Sequence, residues 1–146
     1  MVMKQILTAL ALMLSATFAF AANADWTTDI NSAFAKAKKE NKHVLVEFTG
    51  SDWCPPCIKM RKAVFSKKKF TEVASKDYIL VELDFPNNNK ALQKKNSPYA
   101  EKYNIEGFPT VILFDSSGKE YSRVIASSYP SVKKFLQYLE SAKKSA

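Results

Sequence analysis

The sequence predicts an α/β fold, a mixed central sheet flanked by helices with a helical extension at its N-terminal side, and three features carry that reading. Segments with apolar residues at helical spacing alternate with β-rich runs. Two of those runs, "HVLVEFTG" and "YILVELDF", are apolar enough to be buried on both faces, as strands covered by helices are. A later pair of runs meets at Ser116-Ser117-Gly118, a hairpin signal, so that helices and strands together imply a mixed sheet.

The elements follow in chain order. Lys4 precedes a mostly apolar run from Ile6 to Phe20, and Ala19-Phe20-Ala21 supplies small residues, so 1–21 is expected to be a cleavable signal peptide cut after Ala21. The run is shorter than the about 20 apolar residues that span a bilayer. Residues 22–146 are then expected to form one domain, soluble and extracytoplasmic (periplasmic), with no repeat or linker dividing it. Its first helix takes Thr27 or Thr28 as N-cap, places Ile30, Ala33, Phe34 and Ala37 on one face, and ends near Asn41. A central strand, 43–49, runs through Gly50 into the only two cysteines of the chain, Cys54 and Cys57.

The segment "CPPCIKMRKAVFS" has helical spacing of Cys57, Met60, Ala63 and Val64. Pro55 and Pro56 are tolerated because a first helical turn needs no N–H partners, so they mark a helix N-terminus. A short helical piece around Phe70 to Ala74 leads into the second strand, which Pro86 and Asn87 to Asn89 terminate. Ser97-Pro98 is expected to start the next helix, and the hairpin and a last helix over 131–142, with Val132, Phe135, Leu136 and Leu139 on one face, complete the chain.

The net charge of +8 comes almost wholly from lysines in scattered clusters, with arginine only at Arg61 and Arg123. That pattern reads as a solvated surface, so no nucleic-acid partner is expected.

Three readings compete for Cys54 and Cys57. In the redox reading Cys54, at a helix N-terminus, has its thiolate stabilised by unpaired N–H groups and the macrodipole, so Cys54 attacks and the less exposed Cys57 resolves. A structural disulfide would close so short a loop that it stabilises little. A metal site would need further soft or imidazole ligands, and the sole histidine, His43, is read as lying on the surface at a strand entrance. Glu47 interrupts a strand that should be buried, where an acid is costly without a task or a partner; the alternative is a side chain turned to solvent at an edge.

The residues "VEF" before the cysteines, "WCPPC", "IEGFPT", "VILFDSSGK" and the closing helix, in this order and spacing over 26–142, resemble the thioredoxin family. Within it, the Asp-Trp-Cys approach and "FPTVILFDSSGKE" are similar to small secreted proteins related to the C-terminal domain of the electron conductor DsbD. The resemblance implies the thioredoxin fold, a redox-active Cys54–Cys57 disulfide and no bound cofactor. It implies a cis-proline at Pro109, with the Phe108 backbone free to pair with an extended substrate segment, and Trp53, a tryptophan beside a reactive site, is read as both capping the core and shielding one side of the site. It also places Glu47 as a buried acid assisting proton transfer at Cys57. Gly50-Ser51 makes the approach one residue longer than in thioredoxin, and Glu82 stands near where thioredoxins often hold a lysine, which leaves Glu47 without that cation.

The expected activity is thiol-disulfide exchange with cysteine-containing envelope proteins, by a monomer recharged by a DsbD-like membrane electron donor. The two prolines withhold N–H groups from the Cys54 thiolate and so tune the pair toward a reductase or isomerase rather than a primary oxidant. The alternatives are a binding or chaperone module whose disulfide is structural, and a copper-delivery protein.

Overall fold

A computed structural model describes residues 26–146. The expected signal peptide and its cleavage after Ala21 lie outside the described residues. Five helices and four strands alternate: α1 (Ile30–Glu40), β1 (His43–Thr49), α2 (Pro55–Met60), α3 (Lys68–Ala74), β2 (Tyr78–Asp84), α4 (Lys90–Lys102), β3 (Thr110–Phe114), β4 (Glu120–Ile125) and α5 (Val132–Lys143). The sheet order is β2-β1-β3-β4, with β1 parallel to β2 and antiparallel to β3, and β3 antiparallel to β4. The sheet is mixed, and β1, which leads to the cysteines, is central.

Side chains alternate across β1, and each set meets its own helical layer. Val44, Val46 and Phe48 pack with Ile30, Ala33 and Ala37 of α1 and with Tyr99 and Tyr103 at the α4 end. Leu45 packs on the other face with Met60, Val64, Phe65, Phe70, Phe135 and Leu139, from α2, α3 and α5. Phe65, Phe70 and Phe135 form an edge-to-face triangle with centroids 5.1 to 5.7 Å apart, which locks those helices together.

Several boundaries differ from the expected ones. The N-cap of α1 is Asp29, not Thr27 or Thr28: its carboxylate accepts from the N–H groups of Asn31 and Ser32, both at 3.0 Å, and Thr27 instead bridges Val81 at the sheet edge. Helix α4 begins at Lys90 rather than at Ser97-Pro98, because Asn89 accepts from the Leu92 N–H at 3.1 Å and caps it. Pro98 then lies inside that helix, where Ser97 Oγ donates to the Gln93 carbonyl at 2.8 Å. Helix α2 continues into a π turn over Arg61–Phe65, in which Ser66 N–H reaches the Arg61 carbonyl at 2.9 Å. His43 is half-buried rather than on the surface, its ring 5.4 Å from that of Tyr78 and 5.3 Å from that of Tyr121. No helix of the described residues is long and apolar enough to cross a membrane.

Candidate active site

Strand β1 ends at Thr49, and the chain turns over Gly50 so that Cys54 N–H donates to the Gly50 carbonyl at 3.0 Å. Cys54 is the N-cap of α2, extended at φ −102°, with Pro55 and Pro56 as the first two helical residues. Neither proline has an N–H to offer, so the donor that reaches the Cys54 sulfur is the Cys57 backbone, at 3.3 Å. Cys54 and Cys57 are joined in a disulfide, with Cα atoms 5.2 Å apart. In this oxidised form Cys57 is wholly buried and Cys54 retains 3% of its surface, a smaller opening than an attacking thiol suggests. The Gly50 N–H points at Cys57 Sγ, 3.5 Å away.

The surroundings of the disulfide are apolar and aromatic. Trp53 and Ile58 are exposed, and the Trp53 ring meets Phe108 edge-on at 5.6 Å. The indole N–H donates to the Phe85 carbonyl at 2.7 Å, and Phe85 lies 5.4 Å from Phe108, so three rings support one another. A Cβ on Gly50 would come within 2.4 Å of the Trp53 ring, which explains the glycine without any special backbone angle. The Phe108–Pro109 bond is cis, and the Phe108 carbonyl lies 3.8 Å from Cys54 Sγ. The Pro109 carbonyl accepts from Ala126 N–H at 2.8 Å, which ties the loop to the end of β4.

The longer approach to the cysteines is fastened to the end of β2 and to the segment after it. Ser51 donates through its N–H and its Oγ to the Asp84 carboxylate, at 2.9 and 2.5 Å. Asp52 accepts from the N–H groups of Asn87 and Asn88, both at 2.8 Å, and those bonds hold its carboxyl below its usual range. Asn96, buried on α4, donates to the Asp84 carbonyl at 2.8 Å. None of these clamps was foreseen from the sequence, since they join polar residues far apart in the chain.

Glu47 is completely buried on the face of β1 that α2 and α5 cover, alternating with Phe48 and Val46 on the other face. Its neighbour in register on β2 is Glu82, and the Arg61 guanidinium pairs with both carboxylates. The expectation that Glu47 lacks a cation is therefore corrected: helix α2 supplies one from the first residue of its π turn. Burial pushes the Glu47 carboxyl up to about 8, with Arg61 pulling the other way and Glu82 and Asp84 adding to the rise. Arg61 also lies 4.7 Å above the Trp26 ring. A signal for it was present, because arginine is rare in this lysine-rich chain and is the cation suited to bridging carboxylates. Among the described residues no group of three or more His, Cys, Asp or Glu side chains is arranged to hold a metal ion.

Comparison with known proteins places the chain in a family. The family described as "Thioredoxin-like domain" matches residues 30–143. Over 107 residues, 71% of the chain, the sequence is 34% identical to the "Disulfide bond reductase DsbH" of Chlamydia pneumoniae. Over 104 residues, also 71% of the chain, it is 28% identical to the "Thiol:disulfide interchange protein DsbD" of Yersinia pestis (strain Pestoides F). The alignments span 64% of the first relative's length and 16% of the second's. A solved structure titled "DsbH Oxidoreductase" superposes with a TM-score of 0.73 at 31% identity, covering 85% of this chain and 87% of that one.

Proposed function

The chain belongs to the thioredoxin-like family, and from that premise we propose that it is a thiol-disulfide oxidoreductase acting through Cys54 and Cys57. In the reduced form the Cys54 thiolate, at the N-cap of α2 with the Cys57 N–H directed at it, attacks one sulfur of a substrate disulfide. A Cys54–substrate disulfide forms as the substrate's S–S bond breaks and its other sulfur leaves as a thiolate. Glu47 in its ionised form then takes the Cys57 proton, and the Cys57 thiolate attacks Cys54 Sγ. The internal disulfide forms, the substrate leaves as its second thiolate, and two electrons have passed to it. An external dithiol must return them.

The observation that carries this reading is the Cys54 sulfur, capping a helix beside Phe108 and the Trp53 ring packed on it. Trp53 and Phe108 offer apolar contact to a substrate chain, and the Phe108 carbonyl, 3.8 Å from Cys54 Sγ, lies beside the sulfur that such a chain would meet. The partners are cysteine-containing proteins of the cell envelope, with a DsbD-like membrane protein as electron donor. The chain works outside the cytoplasm as residues 22–146, after cleavage at Ala21.

Pro55 and Pro56 set the direction of electron flow. They leave the Cys54 thiolate with few donors, so the reduced form is little stabilised and gives electrons away readily. The potential belongs nearer thioredoxin's about −270 mV than the about −120 mV of strongly oxidising relatives, which marks a reductase or isomerase. Insulin reduction driven by a dithiol tests the activity. The wild type should precipitate the insulin B chain and Cys54→Ser should not; a wild type no faster than the dithiol alone would leave a binding module with a structural disulfide.

A further inference from the structure

The stretch before Cys54 is fastened, residue by residue, to the end of β2 and the segment after it. The Thr49 carbonyl accepts from the Phe85 N–H at 2.9 Å, and Ser51 donates twice to Asp84. Asp52 accepts from the N–H groups of Asn87 and Asn88, and the Trp53 indole donates to the Phe85 carbonyl. On the other side Asn96 donates to the Asp84 carbonyl, and the Asn89 side chain caps α4. The main chain of 84–88 is thus held between the approach to the cysteines and α4.

Two side chains of that segment are left free. Asn87 and Asn88 are exposed, give their main-chain N–H groups to Asp52, and have side-chain amides that make no hydrogen bond among the described residues. Contacts run without a gap from these residues through Asp52 and Trp53 to Phe108, whose carbonyl lies 3.8 Å from Cys54 Sγ. Trp53 is 41% exposed, yet its ring is fixed at the indole N–H by Phe85 and at its edge by Phe108. A chain lying on it gains contact area without first having to order the ring.

We propose that Asp52 is a positioning residue that holds Asn87 and Asn88 beside Trp53, and that these two asparagines are specificity-determining residues whose amides pair with the main chain of an extended polypeptide substrate. An asparagine side chain offers both donors and an acceptor, which is what the C=O and N–H groups of an extended chain require. Both N–H partners of Asp52 lie on the residues that carry those amides, so loss of its carboxylate releases them together. The inference rests on the exchange reading and adds a substrate class to it: disulfide-bonded polypeptides, favoured over small disulfides that reach Cys54 without touching the asparagines. A residue that merely braced the fold would slow reaction with both kinds of disulfide alike.

The test compares the rate constants with which the reduced protein is oxidised by a disulfide-bonded peptide and by the disulfide of 2-mercaptoethanol, in the wild type, Asp52→Ala and the double variant Asn87→Ala/Asn88→Ala. The small disulfide reads the thiol itself, including any effect of the Asp52 charge on Cys54. The double variant keeps both main-chain N–H groups, and stands as an independent arm if Asp52→Ala folds poorly. The expected result is a fall of about tenfold in the ratio of the peptide rate to the small-disulfide rate in each variant. In Cys57→Ser joined to the peptide through Cys54, the side-chain amide resonances of Asn87 and Asn88 should shift, and in the adduct with 2-mercaptoethanol they should stay in place. An unchanged ratio in either variant, or amide resonances that do not tell the two adducts apart, would overturn the inference while leaving the exchange reading intact. A wild type that reacts with neither disulfide would sink the exchange reading, and the inference with it.

Discussion

Glu47 is where the burial of a single residue sets the pH dependence of stability. Its folded carboxyl titrates at about 8 against the usual 4.5, because burial outweighs the pull of Arg61. Between those values the folded chain keeps a proton that the unfolded chain gives up. Stability from this group is full below about 4.5 and is lost as the pH rises toward 8, by at most about 1.4 kcal/mol per pH unit. Glutamine has no proton to lose, so Glu47→Gln should flatten the fall in urea midpoint between pH 5 and pH 8; equal slopes in both proteins would show that the carboxyl does not titrate there. The burial of this acid was legible in the sequence, as a charge inside an apolar strand. Its partner was signalled by residue type, an arginine in a lysine-rich chain, but not by place, because a long side chain four residues beyond Cys57 can reach a strand or water, and only the packing against Trp26 decides which.

The short element that matters most is the first turn of α2. An N-cap side chain normally accepts from the N–H of the second or third helical residue, and here the second is Pro56. Pro56→Ala restores that donor, so the reduced Cys54 should become more acidic and the pair more oxidising. Equilibration with glutathione reads the potential, and an unchanged or lower value would mean that the prolines do not tune it. In α4 the cap at Asn89 replaces the expected start at Ser97-Pro98. A proline inside a helix usually costs several kcal/mol, but the two helical turns before it and the anchor of Asn96 to β2 hold the helix through it. Asn89→Ala should destabilise the protein by about 1 kcal/mol in chemical denaturation. No loss would show that the packing of α4, and not its cap, fixes where it begins.

At the scale of the molecule, the mixed sheet keeps a separate apolar layer on each face, and the cysteines emerge where its central strand meets a helix N-terminus. This much was legible in the sequence, since periodicity, the hairpin turn and the position of "WCPPC" each point to one element order. The clamps of Ser51 on Asp84, at the end of β2, and of Asp52 on the segment after it were not, because they depend on tertiary approach between distant segments. All these features converge on one claim, that the pair is a reagent and that Cys54 makes the attack. The direct measurement is the rate at which each single-cysteine variant, Cys57→Ser and Cys54→Ser, forms a mixed disulfide with a disulfide-bonded peptide at neutral pH, with the adduct located by mass spectrometry. The structure predicts a rapid adduct on Cys54 in Cys57→Ser and a much slower one on the buried Cys57 in Cys54→Ser; equal rates, or a faster adduct on Cys57, would contradict it.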